Sequence, residues 1–170
     1  MDSKNNYNIN ELLDQLEQQT RAYLQQRGIT TPVIVGMHTA GVWLAQALHQ
    51  RLQLTEPVGE LNPTFYRDDF HTVGLHRQKK PSHLPFAIAN RHVLLVDDVL
   101  YTGRTLRGAM NELFDYGRPA SIIAAVLIAR EGRELPIEPQ ITVLREEPGK
   151  HYRYQLSGPE PLRLQLVAQE

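Results

Sequence analysis

The sequence predicts an α/β domain built on a mainly parallel sheet with helices on both faces. Three observations carry that expectation. The runs "PVIVGM" (32–37), "HVLLVDD" (92–98) and "ASIIAAVLIA" (120–129) are short, nearly continuous apolar stretches, as strands covered on both faces require. Helical patterns lie between them: "GVWLAQALHQRL" (41–52) puts Leu44, Leu48 and Leu52 on one stripe, and "TLRGAMNELFDYGRP" (105–119) does so with Leu106, Ala109, Met110, Leu113 and Phe114. Strand followed by helix followed by strand is the pattern of crossover connections in a parallel sheet.

The remaining segments follow in order. The opening segment "NINELLDQLEQQTRAYLQQRG" (8–28) places Leu12, Leu13, Leu16, Thr20, Tyr23 and Leu24 on one helical face and stops at Gly28. "GELNPTFYRDDF" (59–70) reads as extended, with Pro63 favouring an edge position. Residues 70–90, with the basic run "HRQKK" (76–80), read as an exposed hairpin or loop. Gly117 and Pro119 end the second crossover helix. After Pro139, "ITVL", "YRYQL" and "LRLQLV" are short extended pieces separated by Pro and Gly. With 170 residues, 41% apolar and 22% charged, one globular domain over 1–170 is expected.

Composition excludes several function classes. Cysteine is absent, which removes disulfides, thiolate metal sites and a cysteine nucleophile. A net charge of −1 gives no global electrostatic case for nucleic-acid binding. "HRQKK" therefore reads as a soluble face in preference to an RNA contact. His71, His76 and His83 have no two-ligand helical spacing, and Trp43 and Tyr101 read as packing or rim residues. The polar start "MDSKNNYNIN" lacks a signal-peptide core and no run reaches the length of a membrane span, so a cytoplasmic protein is expected.

The chemistry concentrates in "VLLVDDVLYTGRT" (93–105), where an apolar strand runs into two adjacent aspartates and then a Thr-Gly-Arg-Thr helix start. Two carboxylates side by side are costly unless cations or hydroxyl donors meet them. A helix start with Gly103, Thr102, Thr105 and Arg104 suits a phosphate, because free backbone N–H groups and the positive end of the dipole point at it. A sugar phosphate satisfies both halves: vicinal hydroxyls on Asp97 and Asp98, phosphate in the cradle. A simple turn cap by the aspartates is the plainer alternative.

This stretch resembles the phosphoribosyl-pyrophosphate signature of type I phosphoribosyltransferases. With "VGMHTAGVWLA" (35–45), "GELNPTFYRDDF" (59–70), "FDYGRPASI" (114–122) and "RELPI" (133–137), the chain is similar more narrowly to the PyrR family of pyrimidine-operon regulators and uracil phosphoribosyltransferases. The resemblance implies a type I phosphoribosyltransferase fold with a protruding loop or hairpin and a small C-terminal hood over 138–170. It implies binding of phosphoribosyl pyrophosphate, uracil and UMP, with Mg2+ arriving through the ligand and no direct protein ligation. It implies substrate contacts from Asp97, Asp98, Val99, Leu100, Tyr101, Thr102, Gly103, Arg104 and Thr105. Thr39, Ala40 and Gly41, after His38, would form the pyrophosphate loop, and Arg130 would lie at the base. Arg67, between Tyr66 and Asp68 on the mobile catalytic loop, and Asp98 would be the catalytic residues. A homo-oligomer (dimer or tetramer) and pyrimidine-operon mRNA are the implied partners.

The chain also departs from that family. Ala40 replaces an arginine common in the pyrophosphate loop, Ala129 stands at an aspartate position, and "QITV" (140–143) replaces part of the hood pattern. These changes leave a second reading, a nucleotide-sensing regulator of weak or no activity, and a third, transfer to another base.

Overall fold

The computed structural model describes residues 7–63 and 81–169. Five strands form one all-parallel sheet: β1 (Val33–Met37), β2 (Gly59–Leu61), β3 (His92–Leu100), β4 (Ser121–Ala129) and β5 (Ile141–Arg145), in the order β2-β1-β3-β4-β5. Helices α1 (Ile9–Arg27) and α2 (Ala40–Leu52) cover one face and α3 (Arg104–Tyr116) the other. An antiparallel hairpin, β6 (Tyr152–Ser157) and β7 (Arg163–Ala168), packs on the α1–α2 side.

Each element follows from its sequence. Asn8 caps α1, its Oδ1 accepting from the N–H groups of Asn10 (3.2 Å) and Glu11 (3.4 Å). Gly28 closes it at φ 66°, with Gly28 N donating to Gln25 O and Ile29 N to Leu24 O, so the predicted stop is a left-handed cap. Thr20 is fully buried on the apolar stripe because its hydroxyl donates back to Leu16 O (2.7 Å). β1 is buried along its whole length, as a central parallel strand must be.

Three expectations change. Phe114, assigned to the apolar face of α3, is 57% exposed. Leu106, Ala109 and Leu113 reach the sheet, while Phe114 lies past the flank of that stripe. The described part of the 70–90 segment is packed, not a free loop: His83 pairs with Glu60 through two 2.8 Å backbone hydrogen bonds, Ile88 is buried, and Leu84 and Phe86 lean on the α3-side core. Their spacing, apolar at 84, 86 and 88, is strand-like, and the neighbouring prolines obscured it. Finally, 138–170 divides in two. Ile141–Arg145 joins the central sheet beside β4, and only the hairpin stands apart from it.

The hairpin is tied to the body by core residues Leu156 and Leu164 and by a small polar cluster. Glu146 Oε1 accepts from the hydroxyls of Tyr154 (2.9 Å) and Tyr7. Burial first, and then the bond to Glu146, hold the Tyr154 hydroxyl well above its ordinary pKa. No helix of the described residues is long and apolar enough to cross a membrane.

Candidate active site

The strand order places the site. From β1 the chain crosses through α2 to β2 on one side, then returns to β3 on the other side of β1 and proceeds to β4. The order therefore reverses between β1 and β3, and the crevice at their carboxyl ends is where ligands of open α/β sheets bind. Two segments singled out in the sequence meet there: 38–41 after β1 and 97–105 at the end of β3.

Glycine sets how close they come. A Cβ on Gly41 would lie 2.6 Å from Val96 O and 3.2 Å from Asp97 Cα and Oδ1. Only a residue without a side chain lets the α2 start seat itself against the strand that carries the aspartates. Thr39 is the exposed N-cap of α2 and makes no side-chain capping bond, and Ala40 is half-buried. His38 Nε2 lies 2.7 Å from Glu60 Oε2, and His38 N donates to Leu61 O (2.8 Å), which fastens the loop to β2.

β3 is longer than the sequence suggests. Pairing with β1 stops at Gly36–Val96, but the ladder to β4 continues to Leu100–Ala129. Asp97, Asp98 and Val99 are thus half-buried strand residues that overhang the end of β1, and Leu100 is buried. The capping alternative is also real: Asp97 Oδ1 accepts from Asp98 N (2.9 Å) and Asp98 Oδ1 from Val99 N (2.9 Å). One oxygen of each carboxylate braces the backbone at the end of β3.

The turn into α3 follows. Gly103 precedes α3 at φ 94°, a left-handed conformation that favours glycine. Thr102 is buried and its Oγ1 accepts from Arg104 N (3.2 Å); Thr105 is half-buried in the first turn. The "RELPI" segment braces this loop from outside. Thr102 O accepts from Glu134 N (2.9 Å) and Leu135 N (3.3 Å), and the Gly103 Cβ position faces Ile137 and Leu135 at 3.5–3.6 Å. Arg104 projects outward, its Nε donating to Glu134 Oε2 (2.7 Å).

Two arginines organise the β4–β5 side. Arg133, quoted in the motif but given no role by the sequence, donates from Nη1 to Tyr101 O (2.5 Å) and Arg130 O (2.8 Å) and from Nε to Ile137 O (3.0 Å). It fixes the 130–137 loop onto the end of β3. Arg130 stacks its guanidinium 4.1 Å over the Tyr101 ring and donates to Glu147. Glu60, Glu134 and Glu147 gave no local signal, because their partners lie 17 to 30 residues away along the chain. Tyr66, Arg67, Asp68 and "HRQKK" lie outside the described residues. Among the described residues no group of three or more His, Asp or Glu could hold a metal ion directly.

A parallel switch-point sheet with this carboxylate pair and helix-start cradle defines a phosphoribosyltransferase-type protein, and the model of the phosphoribosyl transferase domain matches residues 4–157. Among solved structures, a hypoxanthine-guanine phosphoribosyltransferase of Bacillus anthracis superposes with a TM-score of 0.71 at 12% identity, over 98% of this chain and all of its own. A hypoxanthine-guanine-xanthine phosphoribosyltransferase does so at 0.63 and 19%, over 86% of this chain and 82% of its own. At such identities the likeness shows the fold alone. The proteins called bifunctional protein PyrR of Pseudomonas fluorescens and of Pseudomonas aeruginosa strain LESB58 are 49% and 50% identical, covering 92% and 91% of this chain and 93% and 91% of theirs. The chain belongs to this PyrR family of phosphoribosyltransferase-domain proteins.

Proposed function

We propose that the chain, as a single phosphoribosyltransferase-like domain over 1–170, forms UMP and pyrophosphate from uracil and phosphoribosyl pyrophosphate, and regulates pyrimidine biosynthesis genes. The observation that carries this reading is the meeting of 38–41 with 97–105 across the switch crevice. Near-50% identity to proteins called bifunctional PyrR supports the choice of base and the second, regulatory role.

The residues divide by role. Asp97 and Asp98 receive the ribose hydroxyls. The end of β3 at Val99 and Leu100, with Tyr101 after it, walls the sugar, and Thr102, Gly103 and Thr105 present hydroxyls and backbone N–H groups to the 5′-phosphate. Arg104 lends charge from the rim once released from Glu134. Thr39, Ala40 and Gly41 line the pyrophosphate side with backbone groups, and Arg67 closes over the leaving group. Phosphoribosyltransferases as a family use Mg2+ with phosphoribosyl pyrophosphate. Here the chemistry of the two carboxylates suits a cation carried by the ribose hydroxyls, and it would neutralise charge on the leaving group.

In the reaction the C1–O bond breaks with its electron pair leaving on pyrophosphate. The C1–N bond to uracil forms and the nitrogen's proton is released. Charge grows positive on the ribose in between, so carboxylates beside the sugar and positioning of both partners account for catalysis without a protein nucleophile. For the regulatory half, the proposed partner is pyrimidine-operon mRNA, bound by a homo-oligomer (dimer or tetramer) in the cytoplasm.

Thermal denaturation tests the ligand class. UMP at about a hundredfold excess over Kd adds about 2.7 kcal/mol to the native state, a rise of roughly 5–10 °C in melting temperature for a domain of this size. UMP is expected to outdo GMP and IMP. Equal or greater shifts with the purine nucleotides would contradict uracil as the base, and no shift with any of them would contradict a nucleotide site.

A further inference from the structure

Displacement at C1 fixes where the base stands. If the pyrophosphate lies along 38–41, beyond β1, the entering nitrogen approaches C1 from the opposite face, toward β4 and β5. The side chains waiting there are Tyr101, 44% exposed, and Arg130, stacked on it. Arg130 is held from a third place in the chain. Glu147, beyond the end of β5, accepts from Arg130 Nε (3.1 Å) and Nη2 (3.0 Å) on one oxygen and from Glu131 N (2.6 Å) on the other. Both oxygens are committed, one to the side chain of Arg130 and one to the backbone that follows it.

We propose that Glu147 is a positioning residue for the base, acting through Arg130: it holds the guanidinium flat on Tyr101 so that the pair forms a rigid wall at the uracil subsite. The inference rests on the uracil reading above and deepens it. A half-exposed ion pair contributes little to stability, so three convergent hydrogen bonds on one arginine and its backbone serve orientation. The position carries particular weight in this chain because its neighbour, Ala129, is buried and offers no polar group at the end of β4. Gly132 confines the same ring: a Cβ there would sit 2.6 Å from Tyr101 Cε2. Arg130 and Gly132 therefore both contact Tyr101, and Glu147 sets the position of the first.

The test compares wild type, Glu147→Ala, Glu147→Gln, Arg130→Ala and the Glu147→Ala/Arg130→Ala double variant in steady-state UMP formation. Each variant's melting temperature is measured as a control. Expected for Glu147→Ala and Glu147→Gln is a rise of about tenfold in KM for uracil, a gain that follows from about 1.4 kcal/mol of lost positioning. KM for phosphoribosyl pyrophosphate should stay within about twofold, and the melting temperature within about 2 °C, as for an exposed pair. The double variant should be no worse than Arg130→Ala alone, because two residues acting as a unit do not add. An unchanged or lowered KM for uracil in an active protein, or additive losses in the double variant, would overturn the role of Glu147 and leave the uracil reading standing. A wild type that forms no UMP at all would instead overturn the uracil reading.

Discussion

Replacing Asp98 with asparagine is expected to lower kcat/KM for UMP formation by about a hundredfold to a thousandfold, the scale at which losing one preorganised group aimed at developing charge slows an enzyme. The substitution keeps the shape and the oxygen that accepts from Val99 N, so the end of β3 keeps its geometry and the melting temperature stays near wild type. What disappears is the negative charge proposed to face the ribose. Ground-state hydroxyls can still bond to an amide oxygen, whereas the positive charge that develops on the sugar loses its partner. The loss should therefore fall more on kcat than on KM for phosphoribosyl pyrophosphate. Steady-state kinetics with calorimetric melting checks both halves, and an Asp98→Asn protein of wild-type activity would remove Asp98 from the catalytic machinery.

The second large effect is expected at Gly41→Ala. The added methyl would meet Val96 O at 2.6 Å, a backbone atom that no rotamer change can move. Helix α2 and the 38–41 loop must retreat from β3, at a cost of roughly 1–3 kcal/mol and several degrees in melting temperature. The same retreat widens the crevice between segments 38–41 and 97–105. A displacement near 1 Å can cost about a hundredfold in rate, so activity should fall by more than the stability loss alone explains. Gly28→Ala is the control. It strains a left-handed φ of 66° but meets nothing within 4 Å and lies far from the crevice, so it lowers the melting temperature and leaves kcat/KM unchanged.

The parallel core was legible because its strands are buried on both faces and its helices carry clean stripes; Leu12, Leu13, Leu16, Leu24, Leu44 and Leu48 are all core residues. Phe114 shows the limit of that reading, since periodicity gives a direction on the helix but not the width of the sheet it meets. The candidate stretch 97–105, from the end of β3 to the start of α3, could be singled out because its chemistry is contiguous. Its supports were not. Glu147 and Glu60 meet side chains distant in sequence, and Arg133 reaches back to Tyr101 O; no local pattern marks which partners will meet. β5 was hidden for a related reason: "ITVL" is too short to declare its sheet, and only its pairing with Ala125–Ala129 assigns it to the central one.

One reaction tests the proposed activity most directly. Purified protein incubated with uracil, phosphoribosyl pyrophosphate and Mg2+ should yield UMP and pyrophosphate in equal amounts, with hypoxanthine and guanine poor substitutes for uracil. Formation of purine nucleotides in preference to UMP, or no nucleotide from any base, would contradict it.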